Sequence, residues 1–202
     1  MKPQDFNWLL TMMKSCGYKE VNRDTILNFY ERFAGSCKMC QHSCRPVLAE
    51  GDWNSKVLII SNRTTKTEDQ QNKIFPPGTL EGSQLKKYLE PLGLIRQDCV
   101  ICNSIQGFCL RDVEPDNCSF WSRLIINVLA PKLIIILGLE TAYRYDLEQR
   151  VELNSLNYMR DGHVPTLILA HPSLNNLRQD QHLEALEFLQ KLDKTLLGDY
   201  KE

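Results

Sequence analysis

The chain has 202 residues, of which 43% are hydrophobic and 24% charged, with a formal net charge of −1. This composition excludes a disordered chain, and no apolar run approaches the roughly 18–20 residues that span a bilayer. A near-neutral chain offers no global positive field, so contact with nucleic acid would need a local basic rim. The first residues, Met1-Lys2-Pro3-Gln4-Asp5, lack the basic start and apolar run of a secretory leader. The expected location is the cytoplasm.

In chain order, residues 1–34 read as two helices with a turn around Gly17. Phe6, Leu9, Leu10 and Met13 share one face, and Ile26, Leu27, Tyr30 and Phe33 repeat the spacing. The expectation is a helical extension packed on a domain of residues 35–202. From Lys56 onward the pattern changes. Val57–Ile60, Val100–Ile105, Leu133–Leu137 and Leu167–Ala170 are short, mostly β-branched runs bounded by turn or polar residues. Continuous apolar runs suit strands buried on both faces of a parallel sheet. Helical segments are expected at about 82–92, 116–129, 139–148 and 180–196. The alternation predicts an α/β fold, a three-layer α/β/α domain around a central, mainly parallel four-stranded sheet. In such sheets the active site lies at the carboxyl ends of the strands. Four places satisfy that rule: Ser61 onward, Asn103 onward, Gly138 onward and His171 onward.

All eight cysteines lie between Cys16 and Cys118. A disulfide framework does not suit a reducing cytosol. Cys37 and Cys40 form a C-x2-C, and Cys109 and Cys118 form a second pair about 70 residues later. Four thiolates in two pairs fit a tetrahedral zinc or a [4Fe–4S] cluster equally well. Cys44 is an alternative ligand. Cys99 and Cys102, on or beside a strand, read as core residues, and Cys16 ends a helix.

Taken in order, these features resemble the family 4 uracil-DNA glycosylases, the iron–sulfur branch of that superfamily. That family shows a C-x2-C, then a first motif of Gly-Glu-Ala/Gly-Pro-Gly leading into Glu-Asp-x-x-Gly-x-Pro-Phe. This chain has Ser61-Asn62-Arg63-Thr64-Thr65, then Glu68-Asp69-Gln70-Gln71-Asn72-Lys73-Ile74-Phe75 in the same register. Asn103, Cys109, Cys118 and the stretch from Ala130-Pro131-Lys132 to Gly138 follow the family's order, and His171-Pro172-Ser173 matches its closing motif. The similarity covers about residues 37–195. It implies a [4Fe–4S] cluster on Cys37, Cys40, Cys109 and Cys118, with zinc as the alternative. Two spacings depart from the family: Cys109 lies six rather than four residues after the Asn, and the loop to Cys118 is shorter.

The resemblance also implies roles. Hydrolysis of an N-glycosidic bond puts negative charge on the departing base, which a well-aimed donor stabilises. His171 is the expected donor. A base must leave the stack before its bond is accessible. Phe75 would stack on the flipped pyrimidine, and Asn103 would read its edge. Leu174 or Leu177 would wedge into the gap, and Arg178 and Ser173 would hold the backbone. The expected partner is DNA with a flipped-out base, engaged by a monomer.

The first motif departs from its family. Asn62 stands where a carboxylate is usual, and Ser61, Thr64 and Thr65 replace glycines and proline. Asn orients a water but cannot take its proton, so Asp69 or Glu68 is expected to supply the carboxylate. An insertion, Pro76-Pro77-Gly78-Thr79-Leu80-Glu81, follows Phe75 beside the expected pocket. Together these changes lead to the expectation of a glycosylase for a modified pyrimidine, such as the bulky bases of hypermodified phage DNA. Two other readings stand beside it: a uracil-DNA glycosylase with an eccentric first motif, and a catalytically silent binder of DNA or a partner protein.

Overall fold

The computed structural model describes residues 10–20, 22–34, 46–108, 115–173 and 179–200. In chain order the helices are α1 (residues 10–15), α2 (Arg23–Ala34), α3 (Lys66–Gln71), α4 (Leu80–Leu89), α5 (Pro115–Leu129), α6 (Leu139–Ala142) and α7 (Gln179–Lys191). The strands are β1 (Glu50–Gly51), β2 (Val57–Arg63), β3 (Val100–Ile105), β4 (Leu133–Leu137), β5 (Ser155–Met159) and β6 (Val164–Leu169).

The sheet order is β1-β3-β2-β4-β6-β5. The four apolar runs form its parallel centre: β2 pairs with β3 and β4, and β4 pairs with β6. The sheet has six strands rather than the expected four. Its two extra strands, β1 and β5, are antiparallel edges. β5 reads Ser-Leu-Asn-Tyr-Met and is only partly buried, so it lacks the continuous apolar run that marks a central strand.

Strand periodicity divides the core in two. Val57 and Ile59 with Leu133, Ile135 and Leu137 face α4 and α7. Leu58 and Ile60 with Ile134 and Ile136 face the other side, where Phe29, Tyr30, Leu124 and Ile125 cover them. Each such buried side chain contributes about 1.5–3 kcal/mol of transfer free energy, which is why these runs are apolar on both faces. Met13 of α1 and Tyr30 of α2 belong to that second core. The Tyr30 hydroxyl accepts from Ala49 N at 2.8 Å and Gln106 Nε2 at 2.7 Å, tying α2 to the sheet.

Two local expectations are corrected. The segment 139–148 is helical only over Leu139–Ala142, because Tyr145 turns inward to meet Ser122 Oγ at 2.8 Å and Leu147 bridges to Met159. A short helix, α3, sits where none was expected. Thr65 accepts from Glu68 N, and Glu68 accepts from Thr65 N, which is a capping box. Among the described residues, no helix is long and apolar enough to cross a membrane.

Candidate active site

In the parallel core β2 has β3 on one side and β4 on the other, and α4 and α5 cover opposite faces. The chain therefore reverses direction across the sheet between β2 and β4, where open α/β sheets form a crevice at their carboxyl edge. A cavity of about 370 Å³ occupies that position, lined by Asn62, Arg63, Gly138, Glu140, His171 and Ser173 among others. Three of the four strand ends singled out in the sequence meet there. Gly138, with φ of 92°, turns the chain off β4 and brings its backbone against the His171 side chain.

His171 follows β6 directly. Its Nδ1 lies 3.2 Å from the Ser173 amide and 2.7 Å from the Ser173 hydroxyl. A backbone N–H can only donate, so Nδ1 accepts and the ring proton resides on Nε2. Nε2 lies 2.8 Å from Ser61 Oγ, toward which it donates. Burial, the dominant cause, pushes the imidazole pKa down to about 4. His171 is thus a neutral ring with its N–H fixed toward Ser61.

Asn62, the last residue but one of β2, is held at both ends of its amide. Nδ2 donates to Glu140 Oε2 at 2.8 Å, and Oδ1 accepts from Arg144 Nη1 at 2.6 Å. Arg144 also donates to Ser104 Oγ at 2.6 Å and to Glu140 Oε1 at 3.0 Å, while Ser104 Oγ donates to Asn62 O at 2.7 Å. Arg63 lies 3.8 Å from Glu140 Oε1. The neighbourhood holds two guanidinium groups and one carboxylate.

Phe75 and His171 are ring neighbours, with centroids 5.7 Å apart and planes at 58°. Phe75 has a φ of 42°, a conformation that costs a residue with a Cβ about 1–2 kcal/mol. Glu68 Oε1 accepts from Phe75 N at 2.9 Å, and Arg96 donates to Phe75 O at 3.2 Å and to Ile74 O. Arg96 is itself paired with Glu50. Phe75 does not line the 370 Å³ cavity. It lines a second one of about 380 Å³, with Pro77, Gly78, Gly82 and Arg96, beneath the insertion.

Asn103 is fully buried at the carboxyl end of β3. Its Nδ2 donates to Thr64 Oγ1 at 3.2 Å and Glu68 Oε2 at 3.4 Å, and its Oδ1 has no partner among the described residues. An unpaired buried amide oxygen is rare. Burial raises the Glu68 pKa, against the hydrogen bonds it accepts from Phe75 and Thr65. Asp69 is buried on α3 and, like Glu68, is not on the wall of the 370 Å³ cavity.

The residues expected to touch the DNA backbone or the gap, Leu174, Leu177 and Arg178, lie outside the described residues. So do Cys37, Cys40, Cys109 and the alternative ligand Cys44. Cys118 is buried near the start of α5. Cys99 and Cys102 are buried, and burial pushes both thiols up to about 12, as suits core thiols. Described neighbours of the two cysteine pairs are close: Val47 N donates to Gln106 O at 2.7 Å, and Tyr30 of α2 packs 5.7 Å from Trp121 of α5.

Three residues of the site escaped the sequence reading, Ser104, Glu140 and Arg144, while Ser61 was singled out only as a strand end and motif position, without a role. Glu140 and Arg144 have the i,i+4 spacing of a helical ion pair, just after a strand end already singled out. That spacing was the available signal. Ser104 carried none.

A family model described as Uracil DNA glycosylase superfamily matches residues 48–193. Comparison with curated proteins finds no significant match. The matched span runs from just before β1 to the end of α7, and so contains the sheet, the cavity with Asn62, and the buried Asn103.

Proposed function

Because this chain belongs to the uracil DNA glycosylase superfamily, we propose that it hydrolyses the N-glycosidic bond of a pyrimidine flipped out of DNA, and that this base is a modified one. The observation that carries the reading is the neutral, half-buried His171, which lines a cavity at the carboxyl edge of the sheet and holds its Nε2–H against Ser61 Oγ beside it. As the glycosidic bond breaks, its electron pair leaves with the base. A neutral N–H donor in a low-dielectric site stabilises that anion without transferring a full proton. The Ser173 contacts lock the tautomer that makes this possible.

Asn103 supports base recognition, since its Oδ1, unpartnered among the described residues, matches an imide N–H. Phe75, a ring neighbour of His171 on a braced loop, would supply the stacking face. The second cavity beneath the insertion, beyond Phe75, supports a base with a bulky substituent. Water would be oriented by Asn62, whose amide is held fixed by Glu140 and Arg144.

The four thiolates of Cys37, Cys40, Cys109 and Cys118 would hold a [4Fe–4S] cluster, with zinc as the alternative. The support is topological. Val47 and Gln106 are hydrogen-bonded, and Cys109 follows Gln106 by three residues, at most about 11 Å of chain. A cluster there would fasten the approach to the sheet onto α5.

The test is base release from a panel of duplex and single-stranded DNAs carrying uracil, mismatched thymine, hydroxymethylated and glucosylated pyrimidines. Release of a modified base, with uracil poor or inert, is expected. Robust release of uracil alone favours the uracil-DNA glycosylase reading. DNA binding with no release from any substrate favours the silent binder.

A further inference from the structure

We infer that Glu140 is the general base of the reaction, the carboxylate that the first motif lacks. The inference rests on the glycosylase reading and adds to it a residue from a different strand end. Among the described residues that line the 370 Å³ cavity, Glu140 is the one carboxylate. Asp69 and Glu68 are both buried off that wall, and Glu68 is committed to Thr65, Phe75 and Asn103.

The geometry around Glu140 suits the part. Oε2 accepts from Asn62 Nδ2 at 2.8 Å, and Oε1 faces Arg144 and Arg63. A carboxylate oxygen has two lone-pair sites, so Oε2 keeps one for a water proton. The side chain is 63% exposed, and so open to water arriving in the cavity. Asn62 would hold that water and Glu140 would take its proton. Arg144 sets the amide orientation that puts Nδ2, rather than Oδ1, against the carboxylate.

The step balances as follows. The water oxygen bonds to the anomeric carbon of the deoxyribose, and the N-glycosidic bond breaks with its electron pair leaving on the base. The water proton passes to Glu140 Oε2 and then to solvent. The departing base, now an anion, accepts the hydrogen bond from His171 Nε2–H. No oxidant or metal takes part, and Glu140 ends the cycle ionised.

Single-turnover base release from a DNA that the wild type cleaves tests this, with Glu140→Gln, Glu140→Ala and Glu140→Ala plus added formate. Glu140→Gln is expected to lose about 100-fold or more and to bind the DNA as wild type does. Formate is expected to restore part of the Glu140→Ala rate, since the cavity is open to a small carboxylate. A Glu140→Gln enzyme at wild-type rate overturns the inference and leaves the glycosylase reading standing. So does a loss that formate never rescues, because Glu140 would then only brace Asn62. Failure of the wild type to release any base overturns the reading itself, and the inference with it.

Discussion

The Ser173 amide and hydroxyl both point at Nδ1 of His171, at 3.2 and 2.7 Å, from two residues further along the same turn. This one contact decides the tautomer and the direction of the ring, while burial keeps the ring neutral. That burial also gives the protein a pH dependence that can be measured without any substrate.

His171 titrates at about 4 when folded, against an ordinary value of 6.5. Its neutral form is therefore favoured by folding, and that stabilisation is fully present above pH 6.5. As pH falls from 6.5 to about 4 the unfolded chain takes up a proton that the folded one refuses, and stability declines. The loss is roughly 3 kcal/mol and levels off below about 4. Urea midpoints measured across this window should show the decline in wild type and a shallower one in His171→Gln. Parallel curves for the two proteins would contradict a depressed His171.

Ser61 takes the His171 Nε2–H in the absence of a base. An entering base oxygen must displace it, which opposes binding by about 0.5–1.5 kcal/mol. Ser61→Ala should destabilise the free protein by about 1–3 kcal/mol, through a buried donor left without a partner. Base release should be retained, or quickened up to about 10-fold. Thermal denaturation and single-turnover rates read the two effects separately, and a slower enzyme of unchanged stability would contradict this account.

Gly82 near the start of α4 carries the insertion loop on its back. A β-carbon there would lie 2.4 Å from Pro76 O and 3.0 Å from Phe75 O, both backbone atoms. In an open helix Gly→Ala gains about 1 kcal/mol, but this overlap costs about 1–3 kcal/mol. Gly82→Ala is expected to lower Tm and to slow base release by moving Phe75. A rise in Tm would show that the loop yields without strain.

If the cysteine pairs hold a cluster, Cys118→Ser should yield protein with reduced iron and visible absorption, and a lower Tm. Its effect on base release should follow that loss of fold. Unchanged metal content in Cys118→Ser, with zinc and no iron in both proteins, would contradict the cluster.

The parallel centre of the sheet was legible because burial on both faces forces uninterrupted apolar runs, as in Leu133–Leu137. β5 was not, since an edge strand needs only one dry face and Asn157 and Tyr158 look like loop residues. α3 had a readable signature in Thr65-Lys66-Thr67-Glu68, hidden by its alignment with a family motif. His171 and Asn62 were legible as motif positions at strand ends. Glu140 was not, because it meets Asn62 across 78 residues of chain, and a lone glutamate after Gly138 carries no local mark of that meeting. Only the strand order makes them neighbours.

The measurement that bears most directly on the central claim is the release of free base from DNA by wild type and by His171→Ala, under single turnover and identified by mass. A cleaved pyrimidine is predicted for wild type, with a loss of about 100-fold or more in His171→Ala and unchanged DNA binding. Equal release by the two proteins would contradict the assignment of the leaving-base donor to His171, and with it this account of the site.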